Sequence, residues 1–141
     1  MTDFFQKYIC YNPSVKQIVR IVKKGYHNMN KALKSVRHKV DICVVGGGLA
    51  GMFAAISAAR NGAKVALMHD RPVLGGNCSS EIRMWISGAG TRVRDLQETG
   101  LLEELLLENM YRNPKRNFSI WDSILYEMVR FEKNIDLMLS E

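Results

Sequence analysis

At 141 residues and 47% apolar, the chain is long enough for one globular core and too short for two full domains of ordinary size. Three scattered cysteines, Cys10, Cys43 and Cys78, form no Cys-x-x-Cys pair, which argues against a disulfide-stapled secreted fold and for a reducing, cytoplasmic setting. The net charge of +6 is uneven: residues 1–39 carry nine Lys or Arg against Asp3 alone, and a basic arm on a mildly acidic body, without motif support, speaks against nucleic acid as a partner.

Residues 1–39 read as a basic N-terminal extension, partly helical. Val15, Ile18, Val19 and Val22 fall at i, i+3, i+4 and i+7, with Ser14 as the cap and Gly25 as the stop. Lys16, Arg20, Lys23 and Lys24 make the opposite face basic, as a solvated arm, a segment lying on an anionic membrane, or an organellar presequence would be.

Residues 40–141 read as the folded domain. Val40–Val45 is β-branched and apolar at nearly every position, the pattern of a central first strand buried on both faces of a parallel sheet. It breaks into Gly46-Gly47-Gly48-Leu49-Ala50-Gly51 and resumes as an alanine-rich helix to Arg60, with Phe53 and Ile56 on the buried face and Asn61-Gly62 as the end. Ile42–Ala59 is uncharged throughout, but a glycine triplet near its start weakens any membrane-spanning helix, so no transmembrane span is expected. Lys64–Met68 reads as a second buried strand, which completes a βαβ unit.

After Pro72, an irregular stretch carrying Leu74-Gly75-Gly76-Asn77-Cys78-Ser79-Ser80 runs through Thr91. Leu101, Leu102, Leu105 and Leu106 stripe a helix that ends near Asn113-Pro114. Ser119-Ile120-Trp121-Asp122 resembles a capping box and opens a helix whose core side chains are Ile120, Trp121, Ile124, Leu125, Met128 and Val129. Ile135, Leu137 and Leu139 alternate with polar or flexible neighbours as a third strand exposed on one face, an edge that invites oligomers or a partner chain. The order gives an α/β fold: a Rossmann-like βαβαβ half of a doubly wound parallel sheet, with a helical excursion after the second strand.

Gly46, Gly48 and Gly51 satisfy Gly-x-Gly-x-x-Gly. The first glycine permits the tight turn, the second lets backbone approach a pyrophosphate, and the third lets helix pack on strand. The helix N-terminus adds free N–H donors and about half a positive charge. An acid is expected at the end of the second strand for the adenosine ribose; Asp70 is the only carboxylate there and takes that role, with His69 beside it. Glycines and acid together leave FAD and NAD both open.

The glycine turn, the alanine helix, Val65-Ala66-Leu67 and Leu74-Gly75-Gly76-Asn77 resemble the N-terminal FAD-binding portion of flavoprotein oxidoreductases of the glutathione-reductase fold group. Asp70 to Asn77 with Ser79-Ser80-Glu81-Ile82-Arg83, then Glu98-Thr99-Gly100, Tyr111-Arg112-Asn113-Pro114 and Trp121-Asp122, are similar to a bacterial family of FAD-dependent oxidoreductases. The resemblance covers about residues 40–141. It implies FAD as cofactor, with Gly46, Gly47, Gly48, Leu49, Ala50 and Gly51 at the pyrophosphate, Gly75, Gly76 and Asn77 alongside, and His69, Asp70 and Arg71 at the adenosine end. His69 stands where the fold group usually has Glu. In the disulfide-reductase branch a cysteine placed like Cys78 has its redox partner five residues on; here Arg83 holds that place, so Cys78 reads as a bystander thiol and Arg83 as a surface ion pair or a phosphate or anion contact.

The resemblance further implies an oxidoreductase whose flavin acts on an unknown small-molecule substrate, and a polypeptide continuing well beyond this length. The chain is therefore expected to be an N-terminal fragment in which no catalytic acid or base can be named. An NAD-binding module, or an inactive remnant completed by another chain, are the alternatives. His27, His38 and His69 lie in no cluster of metal-ligand spacing, so no metal is expected.

Overall fold

A computed structural model describes residues 8–11, 17–22, 35–88, 96 and 98–141. The first three strands, β1 (Tyr8–Tyr11), β2 (Gln17–Val22) and β3 (Ser35–Val40), form an antiparallel sheet in the order β1-β2-β3, with Val19 opposite His38. This corrects the helix expected around Val15–Val22. Four of the six β2 residues are β-branched, and β2 has strands on both sides to satisfy its backbone, so the strand preference wins over a run that also fits helical spacing. Ser14, Val15 and Gly25 lie outside the described residues.

The second sheet is parallel, β4 (Ile42–Val45), β5 (Val65–His69) and β6 (Ile135–Leu139), in the order β4-β5-β6. Its first crossover is α1 (Leu49–Arg60); α2 (Leu101–Arg112) and α3 (Phe118–Arg130) lie between β5 and β6. This is the expected α/β order. The central strand, however, is β5, buried at every residue, whereas β4 is an edge with Ile42 39% and Val45 54% exposed. Val40 ends β3 instead of opening β4. It is buried with Ala66 and Met68 on one face of the parallel sheet, where Met138 also packs. A backbone pair between Asp41 and Lys64, reinforced by the Asp41 carboxylate accepting the Lys64 N–H at 2.9 Å, fastens the start of β4 to the start of β5.

The larger core lies on the other face. Met52, Ala55, Ile56 and Ala59 of α1 pack there with Val65, Leu67, Leu105, Trp121, Ile124, Leu125 and Val129. Small residues let α1 sit close to the sheet, and each large apolar side chain contributes roughly 1.5–3 kcal/mol on burial. Met52 is fully buried beside Ile56, Phe53 packs half-buried against the same core, and Ile120, expected in the core, is 39% exposed. The α3 cap is Asn117, whose side chain accepts the Ser119 N–H at 2.8 Å, so the helix starts before the expected Ser119 box. Asn113, almost fully buried, ties α2 to α3 by donating to Asn109 Oδ1 and the Asn117 carbonyl and accepting the Asn117 N–H.

Arg60 closes the far end of α1, donating to both oxygens of Glu104 at 2.7 Å and to Glu132 at 2.6 Å. Hydrogen bonds from Arg60 hold the Glu104 carboxyl below its ordinary value. A carboxylate lowered on folding adds stability above its unfolded value and loses it as pH falls through the folded one. Because the two side chains are 40% and 45% exposed, solvent screens the pair. Arg60→Gln is expected to cost at most ~1 kcal/mol near neutral pH, with the gap closing toward about pH 2. Urea denaturation at both pH values reads this, and a gap that persists in acid assigns the effect to packing of the Arg60 stem.

Candidate functional site

The sheet and α1 converge on the glycine turn. β4 stays paired to β5 as it leaves the sheet, the Gly46 N–H donating to the Met68 carbonyl at 2.8 Å, and Gly46 turns the chain at φ +112°. Gly48 caps α1 in an extended conformation, its carbonyl accepting the Met52 N–H at 2.9 Å. No side chain caps this end and no acid lies in the first turn, so the N–H groups there lack the partners that most helices supply from within the chain.

Each glycine of the pattern meets a distinct constraint. A Cβ on Gly51 would sit 1.9 Å from the Gly46 carbonyl oxygen, so only glycine lets α1 start this close to the turn. A Cβ on Gly48 would meet nothing within 4 Å, which leaves an approach to the helix end that a side chain would fill. On Gly47 it would strike Leu74 and the His69 ring, at 2.6 and 2.8 Å. A bound diphosphate fits these features: uncapped donors, an open approach and no competing carboxylate.

The second glycine loop comes to the same place although it lies beyond β5. The Gly75 N–H donates to the Gly47 carbonyl at 2.7 Å, Gly48 and Gly75 form a parallel bridge, and a Cβ on Gly76 would be 3.3 Å from the Gly48 Cα. Gly75 and Gly76 both have positive φ, and a short 3-10 turn, Gly76–Cys78, follows. Asn77 is exposed beside it.

What holds this loop is α3, which sequence reasoning assigned to the core alone. Trp121, fully buried, donates its indole N–H to the Cys78 carbonyl at 2.7 Å, and Asp122 accepts the Ser80 N–H at 2.9 Å. These pairs join residues about forty positions apart, and no local pattern announces them. Cys78 is buried, and its thiol donates to the Gly75 carbonyl at 3.1 Å. Burial pushes that thiol above its ordinary value, so it packs as a neutral group.

At the end of β5, one residue later than expected, His69 lies buried against Gly47; neither ring nitrogen has a hydrogen-bond partner, and Nδ1 is 3.4 Å from the Asp70 carboxylate. The Asp70 side chain is 56% exposed. Arg71 turns aside to pair with Glu81 at 3.1 Å. The structure thus brings together the glycine turn, Gly75-Gly76 and His69, sets Asp70 next to them, and engages Arg71 elsewhere. Two grooves, of about 340 and 490 Å³, lie away from this turn, one lined by Arg60, Leu105 and Phe131 and the other along β6. No helix among the described residues is long and apolar enough to cross a membrane.

A family model described as FAD dependent oxidoreductase matches residues 41–141. Among curated relatives, a fumarate reductase (cytochrome) of Shewanella frigidimarina is 40% identical over 75 residues, which is 52% of this chain and 12% of the relative. A soluble pyridine nucleotide transhydrogenase of Marinobacter nauticus is 43% identical over 42 residues, or 30% of this chain and 9% of that protein. One from Azotobacter vinelandii is 48% identical over the same length, with the same coverage. The chain spans only about a tenth of the length of the relatives it matches.

Proposed function

The chain belongs to the FAD-dependent oxidoreductase family, and from that premise we propose that it holds the ADP half of FAD for a redox reaction on a small-molecule substrate. The observation that carries this reading is the uncapped α1 N-terminus with its open approach at Gly48, faced by the Gly75-Gly76 loop. Gly46 makes the turn, its own N–H held by Met68; backbone N–H groups of Gly47, Gly48, Leu49, Ala50 and Gly51 bind the pyrophosphate from one side, and Gly75, Gly76 and Asn77 form the second wall. Asp70 accepts from the ribose hydroxyls, His69 supports it from below, and Arg71 stays with Glu81 at the rim. Bound FAD supplies hydride or electron transfer, and the residues here orient its adenine end.

Because the match reaches only about a tenth of the relatives' length, substrate selection and the flavin-ring pocket belong to additional polypeptide. The exposed β4 edge supports the same view: Ile42 and Val45 are apolar and open where a further strand, from a longer chain or a partner, would pair. A reducing cytoplasmic setting accords with the buried Cys78 thiol, which forms no disulfide.

Gly48→Ala separates binding from folding. The added methyl meets no protein atom, and as a cap alanine costs no more than ~1 kcal/mol relative to glycine. The variant is expected to melt within a few degrees of the native chain yet bind FAD at least about tenfold more weakly, since the methyl fills the phosphate approach. Flavin-fluorescence titration with NAD as competitor measures this. Equal FAD affinity in the variant, or displacement of FAD by equimolar NAD, would sink the proposal.

A further inference from the structure

We propose that Arg83 is an oxyanion-binding residue beside the glycine turn, with its guanidinium set to take a carboxylate or phosphate through two parallel hydrogen bonds. The backbone gives the first sign. Arg83 has φ +65°, a left-handed conformation that a side-chain-bearing residue seldom adopts, and the Arg83 and Met84 N–H groups fix it there by donating to the Ser79 and Asn77 carbonyls at 2.8 and 3.0 Å. Strain of this kind persists where the neighbours over-determine it, and here it aims one side chain.

That side chain is half engaged. Nε donates to the Ser80 carbonyl at 3.0 Å, and the guanidinium carbon lies 6.0 Å from the centre of the Phe118 ring, itself stacked on Trp85 at 4.5 Å. These contacts use Nε and one face of the plane and leave the edge formed by Nη1 and Nη2, the edge that matches a carboxylate or phosphate. Nearby acids are spoken for: Glu81 pairs with Arg71, and Asp122 accepts the Ser80 N–H. Among the described residues no carboxylate forms an ion pair with Arg83. Lysine in this place would supply charge without the fork.

The position decides the source of the anion to two. The Met84 N–H is hydrogen-bonded to the Asn77 carbonyl, and Asn77 follows the Gly75-Gly76 pair whose Gly75 bridges Gly48, so Arg83 sits on the loop that walls the turn. One source is the cofactor diphosphate, for which the inference rests on the FAD reading above; the other is a free anionic substrate, for which it stands without that reading.

The test uses the full chain and three variants, Arg83→Gln, Arg83→Lys and Arg83→Gly, titrated with FAD, riboflavin, inorganic phosphate and succinate, followed by flavin fluorescence and by tryptophan emission, to which Trp85 reports. If the diphosphate is the ligand, Arg83→Gln weakens FAD at least about tenfold and leaves riboflavin unchanged. If a free anion is the ligand, FAD binding holds and the tryptophan response to phosphate or succinate disappears. In both cases Arg83→Lys recovers less than half of the loss in binding free energy, and Arg83→Gly, which relieves the left-handed strain, melts no lower than the native chain. The proposal is overturned if Arg83→Gln behaves like the native chain toward all four probes, if the native chain responds to none, or if Arg83→Gly melts lower with its ligand responses intact, which would make Arg83 a loop brace. A native chain that ignores FAD but shows an Arg83-dependent phosphate response would remove the FAD reading and keep this one.

Discussion

Gly51→Ala is expected to lower the thermal midpoint by roughly 10–20 °C and to weaken FAD binding along with stability. Its Cβ would lie 1.9 Å from the Gly46 oxygen and 3.1 Å from the Gly46 carbonyl carbon, against an ordinary contact of about 3.4–4 Å, so α1 has to retreat or the turn has to open. Retreat pulls Met52, Ala55 and Ile56 from their places over β5; opening breaks the Gly46 bond to Met68. Overpacking typically costs about 1–3 kcal/mol, and the top of that range applies because the obstacle is backbone, which has no alternative rotamer. Circular dichroism melting reads the outcome. A midpoint within a few degrees of native would mean that helix and turn are not this close. The contrast with Gly48→Ala is the point: two alanines three residues apart, one expected to cost folding and the other only the ligand.

The second large effect is at Trp121. Trp121→Ala is expected to destabilise by ~3–5 kcal/mol, since a fully buried indole is removed from between α3 and the glycine loop. Trp121→Phe restores most of the packing but leaves the Cys78 carbonyl without its donor, an expected cost of ~1–3 kcal/mol. Urea unfolding with unchanged slope measures both. If the phenylalanine variant is as stable as the native chain, the indole hydrogen bond is not what holds the loop, and Asp122 with Ser80 is left as its tether.

How much of this the sequence displayed depends on distance along the chain. The glycine turn, α1 and β5 were legible because each rests on local spacing, and the turn chemistry narrows what the glycines can do. Val15–Val22 misled for the same reason: a short apolar run fits both periods, and what decided it was strand partners supplied by β1 and β3. The central place of β5 was hidden because burial of a strand depends on how many neighbours it acquires, which Val40–Val45 cannot report about itself. The α3 cap is Asn117 and not Ser119 because both carry suitable oxygens and only the geometry chooses. The Trp121 link to Cys78 had no local signal at all.

The pairing of β5 on both sides also bears on how the chain reaches its fold. β4 meets β5 after a single helix, Ile42 beside Val65, so that unit can close early at little loop entropy. β6 meets the other side of β5 only beyond α2 and α3, with Val65 beside Ile135, so this pairing closes a much longer loop. The glycine turn therefore draws on contacts of two ranges: its strand and helix are neighbours in sequence, whereas the loop beside it is held by Trp121 from some forty positions on. Distance along the chain thus separates the segment that carries the uncapped helix end from the loop packed against it.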